Sequence, residues 1–195
     1  MAKQLDYQPN VFAQSLKSSQ SFLIGVIVPD MERPFFATAV SGIQQVAADA
    51  GYRVMICQSK ESYKEEVSNV RALVASRIPL VHFDRVCNAV DSAQVVLDNW
   101  GGAYAVTEHL LQRGCRRIAI LTGPESLLIS RQRIDGYRSA LHSSHIAPCV
   151  AYEIYSDFQA ASALAALKTW LALPEPPDAI FTANYRNAFD IMFAL

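Results

Sequence analysis

The chain reads as an α/β protein with parallel sheets wound on both faces, on three observations. Six short apolar runs, LIGVIVPD, RVMICQS, PLVHFDR, AQVVLDN, RRIAILTGP and DAIFTAN, each end in a polar or turn-forming cluster. Parallel strands buried on both faces read as such continuous Val/Ile/Leu runs. The runs alternate with stretches of helical periodicity, the rhythm of strand–helix–strand units. In open α/β sheets ligands sit beyond the carboxyl ends of the strands. Asp30, Ser59, Asp84, Arg85, Asp98, Asn99, Gly123 and Asn184 are therefore expected to gather along one crevice.

The elements follow in order. Pro34 suits a first helical turn, where its missing N–H costs nothing. Phe36, Val40, Ile43 and Ala47 then recur at helical spacing until Gly51 closes the helix. Ser62-x-x-Glu65 is a capping box that opens a second helix with Val67, Val70, Leu73 and Val74 along one face. There the rhythm breaks. Arg77-Ile78 runs straight into Pro79-Leu80-Val81, so one strand and one helix, on the order of 30 residues, are missing near 78/79. Either the chain itself has lost this unit or its residues are absent only from this sequence; a covalently real loss would expose apolar surface and predict aggregation. After AQVVLDN, Gly101-Gly102 lead into a helix with Ala103, Val106 and Leu110 inward, closed by Gly114. RRIAILTGP, a helix from about Ser130 to Ser143, a weak strand near Val150, a helix from about Phe158 to Leu171, DAIFTAN and a last helix from Asn184 complete the pattern. A second topological half begins near Asn99, and PEPP at 174–177 is a helix-to-strand turn.

Composition narrows the class. With 195 residues, half of them hydrophobic, the chain can bury one large core or two small ones. A formal charge of −1 leaves no basic footprint for nucleic acid over the body, so any DNA contact is local. Cys57, Cys87, Cys115 and Cys149 form no C-x-x-C pair, which suits reduced thiols acting as small buried hydrophobes. MAKQLDYQPN has no apolar core for secretion and no run reaches membrane-spanning length, so the expected place is the cytoplasm, with no membrane partner.

Particular residues carry a resemblance to the LacI/GalR family of bacterial transcriptional regulators. It begins at Tyr7-Gln8-Pro9-Asn10 and Ala13-x-x-Leu16, and runs through Ile24-Gly25-Val26-Ile27-Val28-Pro29-Asp30, Pro34-Phe35-Phe36 and Ala50-Gly51-Tyr52. It resumes at Phe83-Asp84-Arg85, Asp98-Asn99, Glu108-His109-Leu110, Gly114, Arg117-Ile118-Ala119, Gly123-Pro124, Arg133-x-x-Gly136-Tyr137 and Ala183-Asn184. The resemblance implies α/β architecture with two doubly wound parallel-sheet subdomains, periplasmic-binding-protein-like and incomplete. The implied layout is a hinge at 1–19, an N-terminal effector-binding subdomain at 20–98 and a C-terminal one at 99–195. It further implies a small-molecule effector between the halves, a homodimer, and operator DNA bound through a helix-turn-helix headpiece that this chain lacks.

The resemblance also places candidate contacts. Arg133 matches a family arginine that forks onto ligand hydroxyls or a carboxylate, work suited to a planar guanidinium, although an Arg on a helix also reads as a solvated face. Asp84 could accept hydrogen bonds from sugar hydroxyls or base nitrogens, or shape a turn and pair with Arg85. Asn184 offers ligand a donor and an acceptor, yet equally caps the helix beginning at Tyr185. Asp98 and Asn99 shape the turn at a crossover or touch ligand. Phe158 matches an aromatic position that stacks on ligand, and Phe35 opens the first helix facing the pocket, although aromatics at helical spacing also build cores. Ser59 lies just past the second strand. Tyr185 departs from the family, which has Asp after the matching asparagine; the exchange removes an acceptor and adds bulk. In the hinge, Asn10 to Lys17 spans about two helical turns, marginal alone in water. There Asn10, Ala13, Leu16 and Lys17 are the DNA candidates, with Leu16 matching the leucine that wedges into the minor groove.

Two rivals stand beside this reading. An enzyme would need a G-x-G-x-x-G, P-loop or G-x-S-x-G, and none is present; His82, His109, His142 and His145 have no visible nucleophile or metal partner, so neither metal nor cofactor is expected. A free periplasmic-type sugar-binding protein would need an export signal, and the hinge-like segment argues against it.

Overall fold

The computed structural model describes residues 21–60, 62–86 and 90–195. The hinge candidates Asn10, Ala13, Leu16 and Lys17, and Cys87, lie outside them. The chain divides into two compact units, one through Val96 and one from Leu97.

In the first unit, β1 (Leu23–Val28) pairs in parallel with β2 (Arg53–Gln58), Leu23 opposite Arg53. Helix α1 (Pro34–Asp49) connects them, with Pro34 in its first turn and Gly51 at φ +80 just beyond its end. Because strand side chains alternate in direction, β1 feeds two layers. Ile24, Val26 and Val28 pack with Phe36 and Val40 of α1. Gly25 points the other way and receives Leu73 of α2 (Tyr63–Ala75): a Cβ there would lie 2.6 Å from a Leu73 methyl. The two helices thus cover opposite faces. Ser62 caps α2 by accepting from the Glu65 N–H at 3.3 Å. Val70 and Leu73 are buried as their spacing predicts, but Val74 is 46% exposed and Glu66 is buried instead. The stripe runs 66–70–73, one position around the helix from the expected one.

The break in rhythm becomes a tight reversal. Arg77, at φ +55, donates its N–H to Val74 O, and Ile78 donates to Leu73 O, the paired bonds of a Schellman cap. The chain then docks on β1: the Gly25 N–H donates to Pro79 O at 3.1 Å, and Gly25 bridges Leu80 in parallel. From there β3 (Val81–Phe83) pairs in parallel with β4 (Ala93–Val95). Two of the runs expected to be buried on both faces are not. All three residues of β4 are exposed, and β2 is only intermittently covered. Among the described residues each pairs on one side alone, so each has an open edge. Alongside α1, over β1, β3 and β4, an apolar trough of about 650 Å³ is lined by Ile24, Ile43, Val46, Val81, Phe83 and Val95.

In the second unit β5 (Ile118–Thr122) is central, with β6 (Glu153–Tyr155) and β7 (Ala179–Thr182) parallel on either side. All five residues of β5 are buried. Ile118 and Ile120 pack with Leu111 of α3 (Asn99–Gln112) and with Ile134, Tyr137 and Leu141 of α4 (Leu128–Ser143). Ala119 and Leu121 pack with Ala163, Leu167 and Trp170 of α5 (Ala160–Leu171) and Ile191 of α6 (Tyr185–Met192). The two largest core side chains keep their polar ends satisfied: Tyr137 donates to Ile118 O at 2.8 Å, and Trp170 Nε1 to Ala151 O at 3.1 Å. Asp178, entering β7, accepts from the N–H groups of Arg116 and Arg117 ahead of β5 and so fixes the start of that pair. The weak strand near Val150 is a 3₁₀ turn, Val150–Tyr152, followed by β6.

Further expectations shift here. Helix α3 buries Asn99, Ala103, Thr107 and Leu111, while Val106 is 43% exposed. Thr107 fits inside because its hydroxyl donates to Ala103 O at 2.8 Å. Of the described cysteines, all free, Cys57 and Cys115 are half-buried but Cys149 is exposed, since it lies in the turn before the 3₁₀ segment rather than in a strand. Among the described residues, no helix is long and apolar enough to cross a membrane.

Helices α3 and α4 meet at Gly136, where a Cβ would lie 2.2 Å from the Trp100 carbonyl oxygen. Gly136→Ala is expected to force the helices apart at a cost of about 1–3 kcal/mol, the usual range for overpacking. Denaturant unfolding measures it; an unchanged midpoint would show that the close approach is dispensable.

Candidate functional site

In each unit the strand ends turn from apolar to polar at the carboxyl edge of the sheet, and the two edges are built differently.

In the first unit, Asp30 organises the turn after β1, accepting from the Glu32 N–H at 2.9 Å and pairing with Arg33 at 3.5 Å. Ser59 donates its N–H to Val28 O and is only 2% exposed, so it underlies the edge rather than presenting its hydroxyl there. Phe83 at the end of β3 stacks on Phe35 at 6.0 Å and meets Phe36 edge-on at 6.5 Å. Phe35 remains 49% exposed, an aromatic rim at the start of α1. Asp84 follows at φ +65, and Arg85 closes around it by donating its N–H to Phe83 O at 2.7 Å. This is a γ-turn in the left-handed region, a strained conformation for a residue with a side chain. Asp84 donates its own N–H to Val95 O at 3.0 Å, tying the turn to β4.

Beneath this edge lies a polar cluster that the sequence reading passed over. Ser59, Glu66, His82 and Arg85, all buried, line a cavity of about 10 Å³ together with Val28 and Pro29. That is room for about one water. His82 Nδ1 lies 2.6 Å from Ser92 Oγ, and buried His82 Nε2 has no hydrogen-bond partner. Burial holds the His82 pKa below the ordinary histidine value. The available signal was a polar residue at an inward position of a short apolar run.

In the second unit, Arg133 reaches from α4 and donates Nε to Asn99 Oδ1 at 2.9 Å and Nη1 to Ala183 O at 3.1 Å. Asn99 is 6% exposed and donates to Leu97 O, so its role is to position Arg133 as well as to shape the crossover. Asp98 is the N-cap of α3, accepting from the Gly101 N–H at 2.8 Å. Asn184 caps α6, accepting from the Arg186 N–H at 2.8 Å. Asn184 thus presents a side chain committed to a helix start, the alternative left open for it, and Asp98, expected to shape a turn or touch ligand, caps a helix instead. Tyr185 behind Asn184 is exposed.

Phe158 is 5% exposed and held at φ +65, a rare conformation for so bulky a residue. Its ring covers Gly123 so closely that a Cβ there would lie 2.0 Å away. Asp157 anchors it: the carboxylate accepts from Ser162 Oγ at 2.6 Å and the Gln159 N–H at 3.0 Å, which lowers its pKa. The Phe158 N–H donates to Ser156 Oγ, which donates to Thr122 O and accepts from Asn187 Nδ2. Thr122, Ser156 and Asn187 form a buried hydrogen-bonded group under the edge, also missed in the sequence.

The comparisons with known proteins agree across the chain. Residues 21–79 match a family model described as periplasmic binding proteins and sugar binding domain of LacI family, and residues 107–195 match a periplasmic binding protein-like domain. The ribose operon repressor of Halalkalibacterium halodurans is 29% identical over 202 residues, covering 93% of this chain and 60% of that protein. That of Escherichia coli is 26% identical over 217 residues, covering 99% of this chain and 66% of its own length. The chain thus spans about 60 to 66% of the length of these relatives. A solved structure assigned as a ribose operon repressor from Burkholderia thailandensis superposes with a TM-score of 0.78 at 25% identity, over 90% of this chain and 74% of the other.

The buried His82 yields a pH dependence. Its folded pKa lies below the unfolded value of about 6.5, so the neutral ring is favoured in the fold. Its contribution to stability is complete above about pH 6.5 and is lost as pH falls. Urea unfolding between about pH 7.5 and 5.5 is expected to show a declining midpoint that flattens in His82→Asn. A slope that persists in His82→Asn would assign it to other groups.

Proposed function

The chain belongs to the LacI/GalR family, and on that premise we propose that it is the effector-binding core of a ligand-responsive transcriptional regulator that acts on operator DNA as a homodimer in the cytoplasm. The observation that carries this is the construction of Arg133. A guanidinium half-exposed at the edge of a parallel sheet has two nitrogens fixed, by Asn99 Oδ1 and Ala183 O. Such support reduces the side-chain entropy lost when a ligand binds. Strained Asp84 and Phe158 stand at strand ends in the same way, and backbone strain of this kind concentrates at binding and switch positions.

The effector is a small polar molecule of the carbohydrate class. Two features support that class: the half-exposed Arg133, held by Asn99 and Ala183 and able to donate to hydroxyls, and an aromatic rim, Phe35 on Phe83, for the apolar face of a sugar ring. The relatives' names and the sugar-binding family description agree with it. Asn99, Asp98, Asn184 and Ser59 act behind the contacts, by holding Arg133, capping helices and packing the edge. An effector that prefers one arrangement of the chain shifts its population, and operator affinity changes by the same coupling free energy. Asn10, Ala13, Leu16 and Lys17 would carry that change to DNA, with Leu16 as the minor-groove wedge.

Loss of Arg133 tests the reading. Arg133→Ala is expected to weaken binding of the best ligand from a pentose and hexose panel by about 1.5–3 kcal/mol, the range for a charged hydrogen bond. Far-ultraviolet circular dichroism should stay unchanged. Calorimetric titration reads the affinity, and undiminished binding in the variant would refute the assignment.

A further inference from the structure

We infer that the apolar trough beside α1 is a docking groove for this chain's own residues 10–17, which seat Phe12, Ala13 and Leu16 against β3 and β4. Docked there, Leu16 is withheld from DNA; that consequence alone rests on the hinge reading above.

The trough is a helix-sized gap in the layer over one face of the sheet. The strands run in the order β2, β1, β3, β4, because Gly25 of β1 bridges Leu80 at the entry to β3. Packed helices lie about 8–10 Å apart, so each covers about two strands spaced about 4.8 Å apart. Helix α1 packs on Ile24, Val26 and Val28 of β1. Beside it Val81, Phe83 and Val95 floor about 650 Å³ of open space. The wall that α1 turns to this space is low. A Cβ on Gly42 would meet nothing within 4 Å, and Val46 is 71% exposed. A second helix can therefore come close to α1. Among the described residues that line the trough only Tyr52 carries a polar side-chain atom, so the occupant must bring an apolar side, since a buried polar group without a partner is costly.

The segment that fits is joined to the end of the trough. The Arg53 N–H donates to Phe22 O at 2.9 Å, and the Phe22 ring lies 5.8 Å from that of Tyr52. The 20 residues ahead of Ser21 thus connect to the unit beside a trough residue. At helical spacing Phe12, Ala13 and Leu16 share one side, with Gln14 and Ser15 turned away. Eight helical residues span about 12 Å, within the roughly 16 Å from Ala39 to Ala50 along α1. Ser18, Ser19 and Gln20 reach about 10 Å, enough for the chain to turn back. A helix this short is marginal alone and needs a surface to pack on. The trough supplies one within reach.

Trypsin cleaves after Lys17, so partial proteolysis of the full chain, followed by mass spectrometry, reads the docking. Cleavage there is expected to be roughly fivefold or more slower than in Phe12→Ser, which empties the seat, and than in Val46→Glu, which charges the wall, because cleavage tracks the population of the open form. Far-ultraviolet circular dichroism checks the fold, and if Val46→Glu loses it, Val46→Ser is measured in its place. Equal rates at Lys17 in all the chains overturn the docking. A rate raised in Phe12→Ser but not by the change at Val46 overturns the trough as its seat. Neither DNA nor sugar enters the measurement, so either result leaves the regulator reading standing.

Discussion

Burial of a central strand on both faces is the constraint from which the rest of each unit follows. In β5 the five residues are inaccessible, and their alternation sends Ile118 and Ile120 toward α3 and α4, and Ala119 and Leu121 toward α5 and α6. In β1 the same alternation sends Val26 and Val28 to α1 and leaves Gly25 to receive Leu73 of α2. A strand buried in this way offers solvent only its ends. Polar chemistry is driven to the carboxyl edge, where the backbone must turn and side chains can leave the sheet plane.

At that edge the units store strain differently. Asp84 is bent into a γ-turn that its neighbours Phe83 and Arg85 close, while β4 holds its N–H. Phe158 is fixed in the left-handed region by Ser156 and by its contact with Gly123. Left-handed backbone in residues with side chains costs about 1–3 kcal/mol each and persists only where the surroundings over-determine it. Here the surroundings are hydrogen-bonded cores, Thr122–Ser156–Asn187 in one unit and the His82–Ser92 pair in the other. The strained residues are themselves buried, beside these polar groups in the fold.

Much of the fold was legible because apolar runs and helical spacing report burial directly. Helix α1, with Phe36, Val40 and Ala47 inside, followed its pattern, and the runs at β1 and β5 gave the central strands. Less legible was whatever depended on neighbours distant in sequence. Hydrophobicity marked Val106 and Val74 as inward, yet the helix faces are set by Ala103 and Thr107 in one case and by Glu66, Val70 and Leu73 in the other. An apolar run also cannot say whether a second layer will cover it, which is why β4 is exposed. At the edge, the family resemblance, more than residue chemistry alone, drew attention to Arg133, Asp98, Asn99 and Asn184. Only the geometry separates the arginine from the three that hold it or cap a helix.

The reversal at Arg77-Ile78 has a topological consequence. Each strand with its return helix carries the chain up the sheet and back to its starting side. Excising one whole pair therefore leaves the next strand with unchanged direction, handedness and exit. Asp84 emerges at the rim beside β1, on a strand running parallel to it. Excising half a pair would reverse every strand that follows. Such a sheet tolerates change in whole quanta, and its ligand-facing border can be lengthened or trimmed like a row of tiles.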